Sequence, residues 1–232
     1  MPDLPDLPRT ETAIVAMTNA FRRENRLGPV TANKQLAAAA HWFAEYLART
    51  GKFAHEADGR QPQQRAAAHG YAYCMVGENL AKNLDSRGFT TDRLATQAMQ
   101  GWKASPPHRR TLLEPAVTEI GVAVAQIPDT HPSFVTVQLF GRPEALKIEF
   151  QIRNASAQAV SYTHAGETET IAPRTVATHT TCLPGELRFE RGTLLSDTAL
   201  DRRFPVENGA RYTIETGADG KLSIRLEHRS GG

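Results

Sequence analysis

At 232 residues the chain has room for one large domain or two ordinary ones. Its formal net charge of +2 is close to neutral, and its basic residues are scattered without interleaved aromatics, which argues against a nucleic-acid interface. No apolar run reaches the roughly 20 residues of a membrane helix, and the opening MPDLPDLPRTE lacks the cationic start and apolar centre of a secretory signal, so residues 1–11 read as a linker.

From Thr12 to Arg26, Ile14, Met17 and Phe21 recur at helical spacing. Asn33 is placed to cap a second helix carrying Leu36, Ala40, Phe43 and Leu47, which Gly51 ends. A short helix is expected over Gln63 to Ala68, and another over Thr91 to Ala104 with Leu94, Ala98 and Trp102 on one face. Pro106 and Pro107 break that helix, since proline cannot supply the interior hydrogen bond, and His108 falls in the connection that follows. Thr118–Gln126 and Ser133–Phe140 alternate as half-buried strands around the turn-rich IPDTHPS. Helices packed on a small sheet make residues 12–141 an α+β domain.

GRPEA, Gly141 to Ala145, is the expected boundary. Beyond it LKIEFQIRN and GELRFERG alternate, and RYTIETGADGKLSIRLEH reads as a hairpin about an Asp-Gly turn, so residues 146–232 are expected to form a small all-β antiparallel sandwich. His164 and His179 lie there, with Cys182 three residues on, but no methionine follows to complete a copper site. Cys74 and Cys182 are too few for a disulfide framework and are either free thiols or one bridge.

Three places in the first domain offer ligating or proton-transferring side chains. FAHEADGR carries His55, VGENLAKN carries Glu78 beside Asn79, and GWKASPPHRRTLL carries His108. Two histidines and a glutamate suit a zinc site with an open position, although separations of 20 to 30 residues do not themselves imply convergence. Arg109 and Arg110 can meet an anionic ligand group or pair with Glu114.

FAHEADGR, VGENLA, GWKASPPHRRTLL and TEIGVAVA, in this order, resemble the signature of the CAP superfamily of cysteine-rich secretory, antigen 5 and pathogenesis-related 1 proteins, in its short bacterial form. The resemblance implies an α-β-α sandwich with a central cleft, and it brings His55, Glu78 and His108 to that cleft. It further implies a secreted or periplasmic protein able to hold a divalent cation such as Zn2+ on His55 and His108. Glu78 is then a third ligand, a partner orienting an imidazole, or a catalytic group, while Ser105, Asn79 and Arg109 are cleft neighbours. Ser105 stands where many eukaryotic members have a second glutamate after the tryptophan, which counts against a borrowed proteolytic mechanism. Glu56, Asp58 and Glu119 are the carboxylates near enough in sequence to compensate. The alternatives are lipid or sterol binding through an exposed apolar surface near Gly70 to Val76, metal-dependent hydrolysis of peptides or cell-wall material, and an adhesion module acting through the second domain. The expected partner is a lipid or cell-envelope component.

Overall fold

The computed structural model describes residues 3–189 and 203–228. The chain divides into two compact units, Met1–Ala145 and Leu146–Gly232. In the first, the elements in order are α1 (Leu7–Glu24), β1 (Thr31–Ala32), α2 (Lys34–Thr50), α3 (Pro62–Ala68), β2 (Tyr73–Leu84), α4 (Thr91–Ala104), α5 (Pro106–Leu112), β3 (Glu119–Ile127) and β4 (Ser133–Pro143). The strands pair in the order β1-β3-β4-β2, with β2 and β3 antiparallel to β4 and β1 parallel to β3.

Strand alternation sorts the core into two layers. Ile120, Val122 and Val124 of β3, with Phe134 and Phe140 of β4, pack against Ile14 and Phe21 of α1 and Leu94 and Trp102 of α4. The intervening Ala123, Ala125, Val135, Val137 and Leu139 pack against Leu36, Phe43 and Leu47 of α2 and Ala66 of α3. The sheet therefore lies between two helical layers, the expected α-β-α sandwich. Gly121 is required here: a Cβ would sit 2.3 Å from the Leu36 carbonyl carbon and the Ala37 nitrogen, where α2 starts across the sheet.

Caps fix the helix ends. Asn33 Oδ1 accepts from Gln35 N at 2.9 Å and Leu36 N at 3.1 Å, and Gly51 closes α2 in the left-handed conformation at φ 70°. Two expectations need correction. Residues 7–11, expected as linker, belong to α1, because Asp6 caps it by accepting from Arg9 N at 3.1 Å and proline is tolerated in a first turn. His108 lies in α5 and not in a loop. Pro106 and Pro107 end α4, yet they open a new helix at positions whose N–H groups have no helical partner anyway.

The second unit contains β5 (Ile148–Asn154), β6 (Val160–His164), β7 (Glu167–Ile171), β8 (Val176–Thr181), β9 (Glu186–Phe189), β10 (Phe204–Pro205), β11 (Ala210–Thr216) and β12 (Leu222–His228). The end of the GELRFERG stretch, residues 190–192, lies outside the described residues. The strands form two sheets, ordered β10-β9-β6-β7 and β12-β11-β5-β8. The inward residues Phe150, Ile152, Tyr162, Leu187, Tyr212 and Ile214 make one core between them. The hairpin closes as the sequence suggests, with Tyr212 opposite Leu226 and Ile214 opposite Ile224. Not every strand is antiparallel, however: β11 runs parallel to β5.

Candidate functional site

The site is built on β2, which lies at an edge of the described sheet. Its residues alternate faces. Val76 and Leu80 join the α2–α3 layer while Met75 and Ala81 join the α1–α4 layer, so Glu78 faces α3 and Asn79 faces α5. The neighbouring pair in the Gly-Glu-Asn motif thus holds a different histidine from each side of the strand.

On the first side Glu78 is 8 % exposed and both its oxygens are engaged. Oε1 lies 2.8 Å from His55 Nδ1, and Oε2 accepts from Arg65 Nη2 at 2.7 Å. Arg65, on α3, is fully buried. Its Nη1 donates to Asp58 Oδ1 at 2.9 Å and to the Arg60 carbonyl at 2.7 Å, and its guanidinium lies 3.5 Å from the Phe43 ring centre. Two buried carboxylates thus share one guanidinium, and Glu78 is also in contact with the His55 imidazole. Its hydrogen bond to Glu78 raises its proton affinity above the ordinary imidazole value, although partial burial opposes the shift.

On the other side Asn79, fully buried, donates through Nδ2 to the His108 carbonyl at 3.3 Å and to Gln138 Oε1 at 3.1 Å. Gln138 Nε2 in turn donates to Thr18 Oγ1 at 2.9 Å, so one chain of amides links α1, β4, β2 and α5. Trp102 Nε1 donates to the Leu80 carbonyl at 2.9 Å. The His108 imidazole is held below its ordinary pKa, first by burial and then by the charge of His55. His55 is therefore the imidazole that takes up a proton first, and His108 the one that stays neutral.

The sequence-selected groups divide accordingly. His55 and Glu78 are in direct contact, and His108 is near enough to feel the charge of His55. Ser105 caps α5 at its backbone, where its carbonyl accepts from Arg109 N at 2.8 Å, without a side-chain cap bond. Arg109 lies over the Phe21 ring with 4.8 Å to its centre. Of the three carboxylates weighed as substitutes for a second cleft glutamate, Asp58 joins the cluster through Arg65. Glu119 is held elsewhere, accepting from Tyr71 Oη at 2.6 Å and Asn33 Nδ2 at 3.1 Å. Glu56 accepts from the Gln61 side chain. Among the described residues, no three His, Cys, Asp or Glu side chains are grouped to hold a metal ion.

Arg65 is the member of this site that sequence reasoning missed. It sits in PQQRAAA, where an arginine on a short helix reads as solvated, and only its alanine neighbours hint at a packed face. The stretch from Gly70 to Val76 differs from the exposed apolar patch that lipid binding calls for. Tyr71 is buried, Met75 and Val76 pack on the two core layers, and Tyr73 alone is an exposed large apolar side chain there. A cavity of about 420 Å³ lies between β2 and α5, lined by Met75, Gly77, Pro107, Arg110 and Phe140 among others.

A three-layer α-β-α unit whose edge strand sets a glutamate against one histidine and an asparagine against a second defines a CAP-type domain. The model of the CAP, or cysteine-rich secretory protein, family matches residues 15–140, and the chain belongs to that family. Over 117 residues it is 26% identical to the uncharacterized protein YkwD of Bacillus subtilis, a match spanning 50% of this chain but only 42% of that relative. Its fold is similar to that of an outer surface protein of Borrelia burgdorferi, at a TM-score of 0.50 and 20% identity over 58% of this chain and 93% of that one. An extracellular protein containing an SCP domain from Bacillus anthracis aligns at a TM-score of 0.49 with 24% identity, over 59% of this chain and 41% of that one.

Proposed function

We propose that this is an exported CAP protein that binds a divalent cation, zinc being the ion its donors suit, on His55 and His108. The observation that carries this reading is the 2.8 Å contact between His55 Nδ1 and Glu78 Oε1. A carboxylate that accepts from one ring nitrogen fixes the tautomer and leaves the other nitrogen with its lone pair outward, the usual preparation of a ligating imidazole. Glu78 is committed to His55 and Arg65, so its part is to orient His55 and not to serve as a third ligand or a general base. His108 supplies the second nitrogen, and its lowered proton affinity keeps it ready to ligate.

Two imidazoles fit a borderline ion such as zinc, with water or a bound ligand group completing its shell; they do not fit a closed four-ligand structural site. A bound ion would act there as a Lewis acid toward a coordinated carbonyl or water. Export rests on the family, whose members are named as secretory, and on the likeness to a Borrelia protein named for the outer surface. No helix among the described residues is long and apolar enough to cross a membrane.

The test is a calorimetric zinc titration of chelator-stripped protein beside the His55→Ala/His108→Ala double variant and Glu78→Gln. One-to-one binding is expected in the wild type, loss in the double variant, and weakening by about 10- to 100-fold in Glu78→Gln. Equal binding by wild type and double variant would overturn the reading.

A further inference from the structure

The second unit holds a cluster of titratable groups unrelated to the edge-strand site. Phe150 on β5 and His179 on β8 come from one sheet; Tyr162 and His164 on β6 and Glu169 on β7 come from the other. Tyr162, 2% exposed, donates its hydroxyl proton to Glu169 Oε2 at 3.0 Å. That hydroxyl has only one proton, so His179 Nε2, 2.8 Å from the same oxygen, must be the donor to it. His179 is thereby fixed with its proton on Nε2, at the head of a chain running His179 to Tyr162 to Glu169. The Phe150 ring stacks on His179 with 5.0 Å between centres and meets His164 edge-on at 5.2 Å, and the two imidazoles are 6.4 Å apart.

The two histidines differ in their partners, since His179 donates its Nε2 proton to Tyr162. His164 Nε2 is buried and has no hydrogen-bond partner among the described residues. A proton there would be an unsatisfied charged donor facing another imidazole across an apolar ring. Among the described residues, the charged groups facing His164 are few. Glu167 and Glu169 on β7 favour its charged form, and His179 on β8 disfavours it. Arg188 on β9 and Glu186 line a cavity of about 430 Å³ with His164, and Glu186 is paired with Arg203 at 3.2 Å. Phe150 on β5 offers no charge. Burial is the largest effect, and it holds His164 below the ordinary imidazole range.

We propose that His164, packed with His179 on Phe150 between the two sheets, is an acid-sensitive latch: neutral, it holds β6 and β7 against β5 and β8, and protonated, it releases them. The strands concerned suit such local opening, since β7 and β8 each lie at an edge of their described sheet and β7 is exposed at every residue but Ile171. The sign follows from the burial of His164. A histidine whose folded form resists protonation contributes stability in full above about pH 6.5, and that stability is lost as pH falls below this value.

Hydrogen exchange of the full chain at pH 7.5 and 5.0, corrected for intrinsic rates and read by mass spectrometry, tests the latch. Peptides covering β6 to β8 are expected to lose about tenfold in protection at pH 5.0. Peptides covering β3 and β4 of the first unit serve as the internal reference. In His164→Phe, which keeps a ring against Phe150 without a titrating nitrogen, the acid loss is expected to disappear. Unchanged protection of β6 to β8 in the wild type, or a loss persisting in full in His164→Phe, overturns the proposal. A second readout needs no variant. The His164 Cε1–H resonance should titrate with a midpoint below the ordinary imidazole value, and a midpoint at or above it refutes the latch.

Discussion

Replacing Arg65 with alanine removes the guanidinium that two buried carboxylates share. The Arg65 side chain is fully buried, that of Asp58 is 3% exposed and that of Glu78 is 1% exposed, so solvent does little to screen what remains. Breaking a buried ion pair by deleting one partner costs about 3–5 kcal/mol, mostly as the penalty of an uncompensated buried charge. Unfolding entropy of about 2.1 cal/mol/K per residue over Met1–Ala145 corresponds to about 0.3 kcal/mol per degree. The first unit of Arg65→Ala should therefore melt about 10–16 °C below the wild type at neutral pH. Tryptophan fluorescence isolates that unit, because both tryptophans, Trp42 and Trp102, belong to it. The deficit should also shrink in mild acid, where a proton on either carboxylate relieves the repulsion that the guanidinium had cancelled. A melt within about 2 °C of the wild type would show that the cluster contributes little, and a deficit unchanged between pH 8 and 5 would refute the electrostatic account.

Gly121→Ala should destabilise the same unit by about 1–3 kcal/mol, or leave it unfolded, because the new methyl meets backbone of α2 that cannot rotate away; thermal melting of the variant checks this. In an NMR titration of metal-free protein, His55 should show a midpoint above the ordinary imidazole value and His108 one below it, and Glu78→Gln should move His55 back down. The two linked stability effects have opposite signs. The contribution from His55 is complete below about pH 6.5 and is lost as pH rises through its raised folded value, whereas that from His108 is complete above about 6.5 and declines in acid.

What the sequence made legible follows from periodicity and caps. Asn33 and Gly51 bracket α2 because each has a backbone role that few other residues fill, and α4 ends at the proline pair as expected. The three-layer arrangement followed from the resemblance and not from periodicity, which leaves β2 invisible. Its residues YCMVGENLAKNL show no alternation, since this edge strand carries polar side chains on both faces where Glu78 and Asn79 point. The helix containing His108 escapes a sequence reading for a related reason. Proline forbids the interior of a helix but suits its first turn, and sequence alone does not distinguish an ending from an ending followed by a new start. His55, Glu78 and His108 came from motif order. Arg65 carries no motif, and its burial depends on two carboxylates that only the folded chain brings to it. In the second unit β5, β9, β11 and β12 were legible while β6, β7, β8 and β10 were not, and the parallel pairing of β5 with β11 escaped because alternation says nothing about direction.

The amide chain from Thr18 through Gln138 and Asn79 to His108 has a kinetic meaning as well as a positional one. Thr18 and Gln138 are 120 residues apart in sequence, and Asn79 and Gln138 are 59 apart. Contacts that close such long loops tend to form late, after the entropy of ordering the intervening chain has been overcome. His108 is therefore expected to be set in place only after the first helix and the last strand of the unit have met, so that a chain still in the course of folding would hold both imidazoles without their arrangement.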